Sequence, residues 1–233
     1  TITPVNDTPE VAINTVWTVI EDSVDNVITS AELAYTDADD DNTSLLYTVK
    51  VVPTNGTLQN VGADLGVGST FTQQDINDGD INYDHLGADV TSDGFKFTVS
   101  DGEDSTGWET FTITITPRYT LTVSSGGNGD VESDAASDAA GLSGAGIDCP
   151  DASCSDQYEA TTVVELTPIP DAGYSFSGWS GSISGTSSPY RLDMNADKNV
   201  TASFAANEDC VEVDQTEPGG DWVPLGTYNL PAS

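Results

Sequence analysis

The chain has 233 residues, of which 39 are acidic and 5 basic, for a formal net charge of −34. Lys50, Lys96, Arg118, Arg191 and Lys198 are the only fixed cations, so no basic patch exists for a phosphate backbone, and nucleic acid is excluded as a partner. No run of about 20 apolar residues is present, so no membrane insertion by a helix is expected, and anionic membrane surfaces and polyanionic glycans are repelled unless a cation bridges them.

The length suits one large or two ordinary domains. Hydrophobic content is 36%, yet the apolar residues occur in short alternating runs of Val, Ile, Thr, Tyr and Phe, and no amphipathic helix of ordinary length stands out. The expected class is therefore all-β. Thr1-Ile2-Thr3-Pro4 recurs as Thr114-Ile115-Thr116-Pro117, each copy where an extended run stops at a proline. Residues 1–4 are accordingly read as the end of a preceding repeat, and the chain as a slice of a longer modular protein. The expected division is 5–117, 118–206 and 207–233.

In the first module the spacing predicts strands at Val11–Val19, Asp25–Ile28, Leu45–Val51, Thr57–Gln59, Ile81–Tyr83, Gly94–Ser100 and Trp108–Thr116. In the last, Phe111, Ile113 and Ile115 share one face and the threonines the other, the mark of a half-buried strand. Asn55-Gly56 and Asp101-Gly102 are turn dipeptides. Short strands at this density fit a sandwich.

An ordered series of motifs runs through this module. It begins Val5-Asn6-Asp7-Thr8-Pro9, Glu21-Asp22-Ser23 and Thr36-Asp37-Ala38-Asp39. It continues through Phe71-Thr72-Gln73-Gln74-Asp75-Ile76 and Ile81-Asn82-Tyr83-Asp84-His85 to Asp93-Gly94-Phe95-Lys96-Phe97-Thr98-Val99-Ser100-Asp101-Gly102. The series resembles the cadherin-like repeat of the chondroitin sulfate proteoglycan 4 and Fras type. That resemblance implies a tandem extracellular β-sandwich, cadherin- or immunoglobulin-like, used for reach, adhesion or matrix contact.

Calcium is the expected cofactor. Asp37, Asp39 and Asp41 alternate within Asp37-Ala38-Asp39-Asp40-Asp41-Asn42, offering oxygens to a hard cation. This is no EF-hand, since Asn42 and Thr48 stand where Gly and Glu are required. The resemblance implies that a linker Asn-Asp, here Asn6 and Asp7, joins Asp37 and Asp39 in sharing ions with the preceding domain. Glu21 corresponds to the ligand at the opposite pole. There the following linker, Thr116-Pro117-Arg118-Tyr119, lacks Asn-Asp and carries a cation, so calcium is expected at the amino-terminal pole alone. An aspartate-rich turn held by local hydrogen bonds is the competing reading. His85, the one histidine, is read as structural; without a Ser-His-Asp order, and with carboxylates too dense for any pair to be informative, no catalytic residue is assigned.

In the second module strands are predicted from Arg118 to Val123 and at Thr161–Thr167, Tyr174–Trp179, Tyr190–Met194 and Asn199–Phe204, with Gly126–Ala145 read as an exposed loop. Cys149 and Cys154 lie in a polar loop, close enough for a disulfide and an oxidising compartment; zinc is the poorer alternative without a nearby histidine, and Cys210 is left odd. The order Tyr119-Thr120-Leu121-Thr122-Val123, Gly173-Tyr174-Ser175-Phe176-Ser177-Gly178-Trp179-Ser180-Gly181 and Asn199-Val200-Thr201-Ala202-Ser203-Phe204 resembles the divergent InlB B-type bacterial repeat, which implies a small β-grasp-like domain. Trp179 is a candidate glycan-stacking platform, against a buried anchor beside Phe176.

Residues 210–233, with Trp222, Leu225 and Tyr228, resemble the opening of a golvesin or xanthan lyase carbohydrate-binding-like domain. Trp222 is the second candidate for stacking a glycan. The sequence thus reads as a non-catalytic structural and adhesive segment of a secreted or surface bacterial protein. Its expected partners are neighbouring domains of the same polypeptide and an extracellular polysaccharide or another protein. The alternative is a carbohydrate-binding accessory region of a polysaccharide-degrading enzyme.

Overall fold

A computed structural model describes residues 5–87, 89–134, 146–150 and 153–207. The repeated copy at 1–4, Cys210, Trp222 and the golvesin-like segment lie outside them. The described chain is almost entirely β, as expected, and builds two hydrophobic cores, one from Val19 to Ile115 and the other from Leu121 to Ala202.

The first core is assembled from β1 (Glu10–Asn14), β2 (Trp17–Ile20), β3 (Asn26–Val27), β4 (Leu33–Thr36), β5 (Leu46–Val51), β6 (Gly56–Asn60), β7 (Ala63–Asp64) and β8 (Thr70–Thr72). Helix α1 (Gln73–Asp78), β9 (Ile81–His85), β10 (Ser92–Ser100) and β11 (Glu109–Thr116) complete it. One sheet has the order β2-β11-β10-β5-β8, a second β3-β9-β6-β7, and β1 pairs with β4. The single strand expected at Val11–Val19 is broken at Thr15-Val16, because its halves serve different sheets. β1 runs antiparallel to β4, whereas β2 runs parallel to β11. In β11 Phe111, Ile113 and Ile115 are buried and alternate with threonines, as the period of two requires.

The sandwich interior is aromatic. Tyr47 stacks on Phe71 at 4.8 Å, Tyr35 meets Tyr47 and Phe97 edge-on, and Phe95 bridges Phe97 to Phe111. Such ring pairs add about 0.5–1.5 kcal/mol each beyond the area they bury. Helix α1 was not legible from periodicity, being barely more than a turn, but its ends are specified locally. The Thr72 hydroxyl accepts from the Asp75 amide and the Asp75 carboxylate from the Thr72 amide, a capping box, while Gly79 closes the helix in the left-handed conformation at φ 78°. Its first residue, Gln73, is buried. Gln73 Oε1 accepts from the Tyr35 amide at 2.8 Å and from the Tyr47 hydroxyl, binding helix to sheet.

The second core uses β12 (Arg118–Ser125), β13 (Gly129–Ser133), β14 (Asp148–Pro150), β15 (Ser153–Glu159), β16 (Val163–Pro170), β17 (Tyr174–Gly181), β18 (Tyr190–Asp193) and β19 (Lys198–Ala206). They form two four-stranded sheets, β15-β12-β19-β17 and β14-β13-β16-β18, with β12 parallel to β19. The module expected as β-grasp-like is thus two sheets over one core, with no helix among its own described residues. The stretch expected as an exposed loop from Gly126 contains β13, whose Val131 is fully buried. A single apolar residue in Gly129-Asp130-Val131-Glu132-Ser133 leaves no alternation to read. The cysteines, too, sit on strands rather than in a loop. Cys149 in β14 and Cys154 in β15 form a disulfide with Cα atoms 5.6 Å apart, joining one sheet to the other.

Candidate metal centre

Three separate stretches of chain converge at the amino-terminal pole of the first core. Asn6 and Asp7 precede β1, Asp37–Asp40 follow β4, and Asp101–Asp104 follow β10. Asn6 Nδ2 donates to Asp101 Oδ2 at 3.1 Å and to Asp104 Oδ2 at 3.2 Å, while the Asp7 amide donates to Asp39 Oδ1 at 3.3 Å. The predicted set of Asn6, Asp7, Asp37 and Asp39 is thereby brought together. Asp40 joins it, since one carboxylate oxygen each of Asp37, Asp39 and Asp40 lies within 4.8 Å of the others.

Asp41 stands apart from that group. Its Oδ1 accepts from the Thr43 hydroxyl and amide and from the Ser44 amide, and these bonds hold its carboxyl below the usual carboxylate range. It does what the competing reading assigned to the whole stretch, ordering a turn. Sequence reasoning missed Asp101 and Asp104, because Asp101-Gly102 was accounted for as a turn. Asp101 performs both tasks. Its Oδ1 accepts the Glu103 and Asp104 amides at 2.7 Å each, leaving Oδ2 for Asn6. Burial opposes its ionisation, but those amides overcome it and the carboxyl lies below its ordinary value.

The electrostatics of Asp37 and Asp39 test whether a cation fits. Asp37 Oδ1 accepts the amides of Asp39 and Asp40, and the Asp39 amide first, then Asp40's, lowers its pKa. Asp39 moves the opposite way, raised chiefly by its side-chain hydrogen bond to Asp37 and further by the charges of Asp37 and Asp40. Neighbouring carboxylates disfavour each other's ionisation, and a cation between them relieves that. Asp37 Oδ2 is shut off from solvent without a hydrogen-bond partner. An all-oxygen set with one unsatisfied carboxylate oxygen suits a hard divalent ion.

The opposite pole is arranged differently. Glu21, only 7% exposed, accepts the Arg118 amide on Oε2 at 2.7 Å. His85 is 1% exposed at the end of β9 and its Nδ1 accepts the Asp22 amide at 2.9 Å, a structural position as expected.

Trp179 is not a stacking platform. It is 4% exposed, packs on Phe176 at 4.9 Å and donates from Nε1 to the Ser187 carbonyl at 2.8 Å. The ring is buried in the second core, and the amphipathic indole is satisfied at its polar end.

With this geometry in place, comparison with known proteins shows what each core is similar to. Residues 9–115 match the cadherin-like family model. Residues 150–208 match the divergent InlB B-repeat domain. The cadherin-like segment is similar to the human "Extracellular matrix organizing protein FRAS1", at 36% identity over 104 residues, 44% of this chain. It is also similar to the human "FRAS1-related extracellular matrix protein 2", 36% identical over 84 residues, 36% of this chain. Human "Chondroitin sulfate proteoglycan 4" is 28% identical over 123 residues, 53% of the chain. The chain spans 3% of the first two relatives and 5% of the third. Both family matches end by residue 208, short of the golvesin-like segment.

Proposed function

We propose that this chain is a non-catalytic, extracellular structural and adhesive segment of a large modular bacterial protein, dividing at Pro117 into a cadherin-like module and an InlB B-like module. Its amino-terminal pole binds calcium. The ligands are carboxylate and amide oxygens of Asn6, Asp7, Asp37 and Asp39, with Asp40, Asp101 and Asp104 completing the charge.

The observation that carries the calcium reading is the buried, unsatisfied Oδ2 of Asp37 in a group whose other carboxylates, Asp39 and Asp40, each bring an oxygen within 4.8 Å. The extracellular setting is supported by the matrix proteins that the cadherin-like segment is similar to, and by a disulfide, which persists in oxidising compartments. The bacterial assignment rests on the InlB B-repeat likeness. Burial of Trp179 removes the described residues' candidate platform for a polysaccharide, leaving protein neighbours as the favoured partners.

Calorimetric titration of the chain with calcium chloride tests the proposal. A saturable heat, lost in both Asp37→Ala and Asp39→Ala, is expected; absence of heat in the parent chain refutes it.

A further inference from the structure

The passage from the first core to the second takes a single residue. β11 ends at Thr116, β12 begins at Arg118, and Pro117 alone lies between. A linker that short is still a hinge if its main chain is free, and motion between domains is the default unless something prevents it. Here its polar groups are engaged. The Thr116 carbonyl accepts the Glu21 amide at 2.9 Å, tying the linker to the first core. The Pro117 carbonyl accepts the Ala160 amide at 2.8 Å, tying it to the second. The Arg118 amide donates at 2.7 Å to the carboxylate of Glu21, although Arg118 pairs with Glu159 in the sheet of the second core. Proline supplies no amide to be left over and fixes φ near −65°.

Glu21 is therefore the residue that spans the joint. Its amide and its carboxylate hold the main chain on the two sides of Pro117, and a buried carboxylate accepting an amide makes a strong, charge-assisted bond. The joint also differs from the amino-terminal pole in carrying a cationic side chain. A cleft of about 530 Å³ beside it is lined by Glu21, Asp22, Asp89 and Asp197 and by Arg118, whose fixed positive charge offsets part of theirs, while the Glu21 carboxylate is already engaged by the Arg118 amide.

We propose that Glu21 and Pro117 form a metal-free lock that makes the two modules one rigid body. The joint needs no cation, so chelation leaves it stiff, whatever calcium does at the far pole.

Residual dipolar couplings of the full chain, weakly aligned, read this directly. Two modules that move as one body share one alignment tensor. A common tensor is expected for the parent chain, unchanged by EDTA. Glu21→Gln, which keeps an acceptor oxygen, retains it. Glu21→Ala loses the shared tensor, while the dispersed amide spectrum of each module shows that both remain folded. Inserting Gly-Gly-Ser after Pro117 separates Arg118 from an intact Glu21 and gives the same loss, which covers the case in which Glu21→Ala unfolds the first module. Distinct tensors in the parent chain overturn the proposal, as does separation caused by EDTA alone, or a shared tensor surviving both Glu21→Ala and the insertion. Failure of calcium binding at the amino-terminal pole changes none of these readouts.

Discussion

Calcium binding at the amino-terminal pole is expected to release a proton in the acidic range, where the raised Asp39 carboxyl is protonated in the absence of the ion. Asp39 is raised by its hydrogen bond to Asp37, and Asp37 is lowered by the amides of Asp39 and Asp40. A divalent ion between the two carboxylates favours the ionised form of Asp39 and so displaces its proton. At pH values where Asp39 still carries it, each ion bound displaces one proton, so affinity rises about tenfold per pH unit. Above the raised Asp39 value the dependence flattens. Calorimetry in two buffers of different ionisation enthalpy counts the protons released. Asp39→Asn should abolish the release and weaken binding, whereas Asp41→Ala should leave both intact, since Asp41 is occupied with Thr43 and Ser44. Affinity independent of pH in the acidic range, or an Asp41→Ala loss as large as that of Asp37→Ala, would refute the reasoning. The same pair sets the ion-free stability. The contribution of Asp39, a raised group, is present below its unfolded value and lost as pH rises through its folded one. The contribution of Asp37, a lowered group, is present above its unfolded value and lost as pH falls through its folded one. The ion-free pole is then most stable between the two, and calcium extends that range upward.

Replacing Cys149 and Cys154 with serine should cost about 2 kcal/mol, the loop-closure entropy of a crosslink across a separation of only 5 residues, and should lower the melting temperature of the second module alone. Trp179→Ala should destabilise that module by about 3–5 kcal/mol in urea titration, with retardation by polysaccharides in native gels the same as that of the parent chain. Gln73→Leu leaves the Tyr35 amide and Tyr47 hydroxyl buried without their acceptor, at about 1–3 kcal/mol for each group, and should lower the urea midpoint of the first module with an unchanged slope.

The strands legible in the sequence were those with one buried and one exposed face. β10 and β11 alternate cleanly, and their predicted ranges fall within about two residues of the observed ones. Elements without alternation escaped. β15 buries only Tyr158 along Ser153–Glu159 yet pairs with β12 from Ser153 to Glu159, so it is held by its ladder rather than by an apolar face. β4 alternates, with Leu33 and Tyr35 buried, but at four residues is too short for the period to stand out. At the candidate site, Asp37 and Asp39 were singled out by their spacing, and Asn6 and Asp7 by resemblance. Asp101 and Asp104 were not, since their role depends on β10 returning its far end to residues near the start of the chain. That is a long-range contact, and local patterning carries no record of it.

The acidic excess acquires a physical meaning once the carboxylates are followed individually. Many of them accept main-chain amides where short strands end. Asp84 takes the Asp25 amide, Asp93 those of Thr54 and Asn55, Asp134 that of Glu165 and Asp197 that of Thr120. A fold made of short strands ends its ladders often, and each end leaves amides that need acceptors. An anionic side chain supplies a stronger acceptor than a neutral one. Asp37, Asp39 and Asp40 depart from that pattern. They form the only group of three or more potential metal-ligating side chains among the described residues, and within it Asp37, first by a side-chain hydrogen bond and then by its charge, raises the Asp39 carboxyl above its ordinary value. Carboxylates that answer amides are explained by the fold. Carboxylates that answer each other are not, and a cation resolves the conflict they create.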